Sequence, residues 1–242
     1  MAVLIFFVAI LLNTTEVRAA TYFGNALCAY PQYQCIKVKR WQSWEKLFPD
    51  PIQRDLVQRL NRSDNRLWSG KKIIVPKNLE NVSLFDLSPL PLQIVSDGKK
   101  QIIIDQDKLA WAAYDAYGYL VRWGPISSGR DVCVDSEDSC RTITGIFHIY
   151  WKKDKECDSE LYDGAPMPYC MFFHKGFALH GSNDIPGNRA SHGCVRMFTK
   201  DAKWLNTEFI ELANEEKNIA GTKVIILPLS SDSIFTTQKK KH

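Results

Sequence analysis

Cys194 is the residue of this chain best placed to do chemistry. It lies in the run Ser191-His192-Gly193-Cys194-Val195-Arg196, and His180-Gly181 precedes that run. A nucleophilic thiol needs a base to take its proton, a group that fixes the base, and donors for the oxyanion formed at the attacked carbonyl. A free thiol titrates at about pH 8.5, so only about a few per cent is thiolate at neutral pH, and a neighbouring imidazole raises that share. Two imidazoles qualify. His192 comes shortly before Cys194, and an extended segment would put both on one face. His180 comes from the end of a separate candidate strand. Gly193 lets a substrate approach the backbone closely and supplies an amide beside that of Cys194. Arg196 carries a fork of donors suited to a carboxylate.

The cysteine count sets Cys194 apart. The chain has 7 cysteines. Cys28 and Cys35, Cys133 and Cys140, and Cys157 and Cys170 are near neighbours, and short loops favour those pairings, although other connectivities fit the same count. The odd thiol is then the one inside the richest motif. His180, His192 and Cys194 are also possible zinc ligands, but no C-x-x-C or H-E-x-x-H pattern accompanies them, so neither metal nor cofactor is expected. The papain-type signature around a cysteine is absent.

The elements that position these residues are mostly strands. Gln101 to Asp105 and Lys108 to Asp115 flank a turn at Gln106-Asp107, as in a hairpin. Tyr119 to Ser127, Thr142 to Trp151, Gly176 to His180 and Val224 to Leu227 read as further strands. One main helix is expected, capped by Thr199, with Leu205, Phe209 and Leu212 on one face. Trp151 to Tyr169 reads as a flap over the site. The fold class is a mostly β, sandwich-like catalytic domain with one main helix, preceded by a small α/β module.

That module spans residues 36–77. Ile36-Lys37-Val38 reads as a strand, Ser43 caps a short helix, and Pro51 opens a second helix with Ile52, Leu56 and Leu60 on one face. Lys72 to Val75 closes it as a strand. Residues 78–100, punctuated by Pro89, Pro91 and Gly98, read as a linker, and 229–242 as a tail. The uncharged apolar start, with Val17-Arg18-Ala19 after it, reads as a secretory signal over 1–19. Asn13 ends the apolar run well short of the about 20 residues needed to span a bilayer, so no transmembrane segment is expected after signal removal.

His-Gly followed by Ser-His-Gly-Cys-Val-Arg resembles the signature of the YkuD family of L,D-transpeptidases. Thr144-Gly145, Met167-Pro168-Tyr169, Asp201-Ala202 and Gly221-Thr222-Lys223-Val224 resemble further elements of that family, and the resemblance extends over residues 101–228. It implies that Cys194 attacks the diaminopimelate carbonyl of a tetrapeptide stem in peptidoglycan and expels D-Ala. It implies His180 as general base oriented by the Gly181 carbonyl, and amides of Gly193 and Cys194 as the oxyanion site, aided by Tyr169. Ser191, His192 and Arg196 would shape the site and bind substrate carboxylates. The thioester would pass to an amine of a second stem, giving a 3-3 crosslink. The N-terminal segment, through Asn61 and Leu67 to Pro76, resembles the LysM peptidoglycan-binding module, but Arg40-Trp41-Gln42-Ser43 replaces the usual Gly-Asp turn.

The partners expected are peptidoglycan stem peptides, as donor and acceptor, in the periplasm or cell envelope. Other readings are a wall-binding protein with weak activity, transfer to water as an L,D-carboxypeptidase, or attachment of a protein lysine. The formal net charge of +4 suits an anionic wall without specifying it. No helix carries a basic stripe, so nucleic acid is set aside.

Overall fold

The structure is a computed structural model that describes Phe23 and residues 27–134, 138–159, 164–214 and 219–230. The expected signal at 1–19 lies outside the described residues, as does the tail from 231 onward.

The N-terminal segment runs β1 (Tyr33–Lys37), α1 (Trp44–Leu47), α2 (Pro51–Leu60) and β2 (Lys72–Pro76), with β1 and β2 antiparallel. Local chemistry starts both helices. Ser43 Oγ accepts from the Lys46 amide, and the Asp50 carboxylate accepts from the Ile52 and Gln53 amides while Pro51 opens the first turn. Asn61 ends α2 and ties it to β2: its Nδ2 donates to the Val57 and Ile74 carbonyls, and its Oδ1 accepts from the Ile74 amide. Leu56 and Leu60 are buried as their spacing suggests, but Ile52 is 72% exposed. The apolar period identifies a helix face. It does not say how far the surface beneath that face extends, and here the first turn overhangs it.

Residues 78–100 are a packed strap rather than a free linker. Leu87 and Leu90 are buried with Leu56, Leu60 and Ile74 against Tyr114 and Trp123. The Trp123 indole donates to the Leu84 carbonyl at 2.6 Å, and the Tyr114 hydroxyl donates to the Pro91 carbonyl at 2.8 Å. The prolines and turn residues of the strap are interleaved with leucines, and these are what pack.

The body is a nine-stranded sheet in the order β6-β15-β3-β4-β5-β12-β11-β10-β7. Its strands begin with β3 (Gln101–Asp105), β4 (Ala110–Tyr114) and β5 (Leu120–Ser127), then β6 (Gly145–His148) and β7 (Trp151–Lys152). The two-stranded ribbon of β8 (Asp158–Ser159) and β9 (Ala165–Pro166) follows, then β10 (Met171–His174), β11 (Phe177–Ser182) and β12 (Val195–Phe198). After α3 (Thr199–Trp204) and a π-helical turn at Leu205–Phe209 come the short pair β13 (Ala213–Asn214) and β14 (Ile219–Ala220), then β15 (Lys223–Ile226). β11 pairs parallel with β12, and β15 pairs parallel with β3. The two flanks of the sheet approach each other, with Phe147 of β6 5.4 Å from the Phe173 and His174 rings of β10. The curl encloses Ile102, Trp111, Leu179, Val195, Met197 and Leu205.

Four expectations change. The span from Thr142 to Trp151 is two strands. β10 and β12 are additional, each only four residues, and β12 begins inside the motif at Val195-Arg196. Thr199 is the first helical residue rather than the cap, which is Phe198 and makes no side-chain capping bond. Leu205 and Phe209 are buried, but Leu212 is 37% exposed because the π-turn stops the helix before it.

The disulfides are Cys28–Cys35, Cys133–Cys140 and Cys157–Cys170, and Cys194 is the free thiol. The largest loop closed spans 13 residues, a length at which a crosslink contributes about 3 kcal/mol. Reductant should therefore lower the melting temperature. Equal melting temperatures with and without reductant would contradict this.

Candidate active site

The site forms where β11 and β12 run side by side. Their parallel register places Leu179 opposite Val195 and His180 opposite Arg196, so Cys194 enters β12 on the flank of the strand that carries His180. His180 is 5% exposed. Its Nδ1 lies 2.9 Å from the Gly181 carbonyl. A carbonyl only accepts, so Nδ1 carries the proton and Nε2 is left with its lone pair. Gly181 must lack a side chain: a Cβ would come within 2.9 Å of Thr199 Cα and 3.1 Å of the Pro168 carbonyl. Its amide donates to that same carbonyl at 2.8 Å, which brings Met167-Pro168-Tyr169 against the strand that carries His180.

Cys194 is half-buried and packs with Met167, Cys157 and Cys170. The Cys157–Cys170 disulfide, which ties the segment expected to form a flap to the start of β10, therefore lies beside the thiol. The described part of that segment includes the β8–β9 ribbon. Cys194 Sγ lies 3.6 Å from the Gly176 carbonyl. Burial pushes the thiol above its ordinary pKa, opposed by the Ala178 amide and the positive charge of Arg196. Burial pulls His180 down to about 4, against the raising effect of the Gly181 carbonyl and with a further lowering push from Arg196. Both shifts favour the uncharged form of each partner, so the resting pair is thiol and imidazole rather than thiolate and imidazolium.

Two consequences are measurable. The acid limb of kcat/KM for acylation should fall near pH 4, not near the ordinary imidazole value of 6.5. A limb at the ordinary value would contradict a buried neutral His180. The folded chain also binds fewer protons than the unfolded chain between those values. His180 therefore favours folding fully above pH 6.5 and loses that contribution as pH falls towards about 4. The loss is about 3 kcal/mol at most. His180→Gln should flatten the pH dependence of the melting temperature in that window.

The loop before Cys194 is not extended. Gly193 has φ 128°, which turns the chain between His192 and Cys194 and removes the shared face expected of them. His192 is half-buried on this bend. Ser191, 1% exposed, holds the bend together: its hydroxyl donates to the Cys194 carbonyl and accepts from the Gly193 amide at 3.0 Å. The Gly193 amide is thus already engaged, and Ser191 shapes the loop instead of facing substrate. Of the two amides expected at the oxyanion site, that of Cys194 is the one this arrangement favours. Tyr169 is half-buried with φ 58°, in the turn before β10, and its amide donates to the Asp154 carbonyl. Arg196 is paired with Asp184 at 2.8 Å.

Several supporting residues carry no motif. Thr142 Oγ1 accepts from the Gly129 amide and donates to the Gly193 carbonyl at 2.7 Å. Arg59 of α2, 1% exposed, makes two 2.7 Å bonds to Asp201 at the start of α3 and a third to the Trp123 carbonyl. Asp201 also receives Arg122. The Asp201-Ala202 resemblance marked the start of this helix, and no sequence motif singled out Arg59. The described residues hold no group of three or more metal-ligating side chains.

Comparison with known proteins agrees with this fold. Residues 99–226, more than half of the chain, match the YkuD family model, an L,D-transpeptidase catalytic domain. The structure resembles the L,D-transpeptidase of Xylanimonas cellulosilytica with a TM-score of 0.53 and 26% identity, over 72% of this chain and 78% of that one. Weaker likeness reaches the L,D-transpeptidase of Stackebrandtia nassauensis, at TM-score 0.45 and 16% identity over 74% of this chain and 67% of that one. For that of Enterococcus faecium the values are 0.41 and 19%, over 53% of this chain and 50% of that one. No curated protein sequence matches. A matched domain with a free cysteine, an imidazole fixed on the neighbouring strand and a buried serine-glycine bend leads to one assignment: the chain belongs to the YkuD family of L,D-transpeptidase catalytic domains.

Proposed function

We propose that this protein is a cysteine L,D-transpeptidase that acts on peptidoglycan stem peptides. The observation that carries the reading is the fixed tautomer of His180, with Nδ1 held by Gly181, on the strand that flanks the only free cysteine among the described residues. Cys194 gives its proton to His180 Nε2 as sulfur attacks the carbonyl of the diaminopimelate residue. The new C–S bond leaves an oxyanion, which the Cys194 amide receives. Collapse breaks the C–N bond, and the imidazolium returns the proton to the departing D-Ala amine. An amine of a second stem then attacks the thioester, loses a proton to His180, and displaces the thiol to complete a 3-3 crosslink.

An envelope location agrees with three disulfides, which persist in oxidising compartments. Among the described residues, no helix is long and apolar enough to cross a membrane. The βααβ arrangement of residues 33–76 supports a LysM-like reading of that segment without identifying a glycan.

Incubation of the mature protein with disaccharide tetrapeptides, followed by mass analysis, tests the function. Released D-Ala together with a crosslinked dimer supports transpeptidation. A tripeptide without dimer would replace it with hydrolysis, and unchanged muropeptides would contradict it. A carbapenem adduct mapped to Cys194 would independently confirm a reactive thiol.

A further inference from the structure

Three residues form a chain of contacts from the N-terminal segment to the edge of the site. Asn65 Nδ2 donates to Asp184 Oδ1 at 2.8 Å, and Arg196 Nη1 donates to Asp184 Oδ2 at 2.8 Å. Asn65 Oδ1 also accepts from the Ile185 amide at 2.8 Å, so one side-chain amide grips both the carboxylate and the backbone of its turn. The turn is seated on the end of α2. Ser63 bridges to Pro186, and a Cβ at Gly187, which has φ 86°, would meet the Asn61 carbonyl at 3.3 Å. At the other end, Arg196 stands opposite His180 in the sheet, and its charge bears on both His180 and Cys194.

The Asp184–Arg196 pair is open to solvent, with 57% of the Asp184 side chain and 21% of the Arg196 side chain exposed. A pair this exposed is weakly held, so a ligand can open it at little cost. What then matters is which ligand leaves no charge unpaired. A group bearing both ammonium and carboxylate gives its carboxylate to Arg196 and its ammonium to Asp184. A ligand with ammonium alone leaves Arg196 without a new partner, and one with carboxylate alone must displace Asp184 and remain beside it.

We propose that Asp184 and Arg196 form an amphoteric clamp for the zwitterionic end of the donor's diaminopimelate side chain, and that Asn65 of the N-terminal segment positions Asp184 in it. The proposal rests on the function given above for its substrate class. Carboxylate binding by Arg196 follows from the family resemblance. The ammonium site at Asp184 and the contribution of Asn65 come from this structure. The N-terminal segment thereby acts in donor selection as well as in any contact with the wall.

Binding to the Cys194→Ala protein measures the clamp without chemistry. The probes are two tetrapeptide stems that differ only at the third residue, meso-diaminopimelate or L-lysine, titrated calorimetrically. The diaminopimelate stem should bind about ten-fold more tightly or better. Asp184→Ala should bring the two affinities to within about two-fold, and Asp184→Asn, which keeps the shape and the bond to Asn65, should do the same. Asn65→Ala should reduce the preference several-fold alone and have no further effect in the Asp184→Ala background. Melting temperatures check that each variant is folded. A preference that survives both Asp184 variants overturns the proposal, as does equal affinity, or none, in the parent. Preference without D-Ala release by the unsubstituted enzyme would remove the transpeptidase reading and leave the clamp. Release without preference would do the reverse.

Discussion

Cys194→Ala is expected to abolish D-Ala release from tetrapeptide stems, a fall on the order of 10^4-fold or more in kcat for a nucleophile that works as a unit with its base. Alanine removes the sulfur on which the acyl group would be carried, and no second free cysteine stands among the described residues. His180→Ala should lose nearly as much, and the double variant should be little worse than either single one. Because the resting thiol is protonated and its pKa raised by burial, His180 is needed to remove the proton rather than merely to hold a thiolate already present. Additive losses, with the double variant falling by the product of the two, would show that the residues do not act on one proton. The fold should survive Cys194→Ala, since the sulfur is half-buried and its polar contacts are backbone ones, to the Gly176 carbonyl and the Ala178 amide.

Arg59→Ala is expected to have the largest effect on stability. Arg59 is charged and buried, held by Asp201, Asp55 and the Trp123 carbonyl. Removing it strands the fully buried Asp201 with Arg122 as its remaining cation. Breaking one side of a buried ion pair costs about 3–5 kcal/mol, and a chain of this size loses about 2–4 °C per kcal/mol. Thermal unfolding followed by circular dichroism should show a midpoint lower by about 10 °C. A change of a degree or two would mean that Arg59 is not the weld between α2 and α3. By the same reasoning the chain from residue 101 onward should not fold well alone. It would expose Ala110, Ala112, Tyr114 and Trp123, which the N-terminal segment and its strap now cover.

The motif around Cys194 stood out in sequence because the chemistry it suggests needs particular residue types close together, and so did the strand bearing His180. The βααβ order of the N-terminal segment was legible as well, since Ser43 and Pro51 are local helix-starting signals; the capping by Asp50 emerged only in the structure. What sequence did not show was mostly long-range. Residues 78–100 have the prolines and polar residues of a linker, yet their leucines find a surface on β4 and β5 that only the folded chain presents. The contact of Asn65 with Asp184 spans 119 positions, and that of Arg59 with Asp201 spans 142. No spacing rule reaches so far. The Gly193 amide was assigned to the oxyanion on its position beside Cys194. Its engagement by Ser191 depends on the turn at φ 128°, which a row of letters does not carry.

The most direct test of the acyl-transfer account is the mass of the intact protein, quenched in acid within seconds of mixing with a tetrapeptide stem and no amine acceptor. The account predicts a gain equal to the donor minus D-Ala, mapped to the peptide containing Cys194 and absent from Cys194→Ala. D-Ala released with no covalent adduct at any time, or an adduct on another residue, would contradict it.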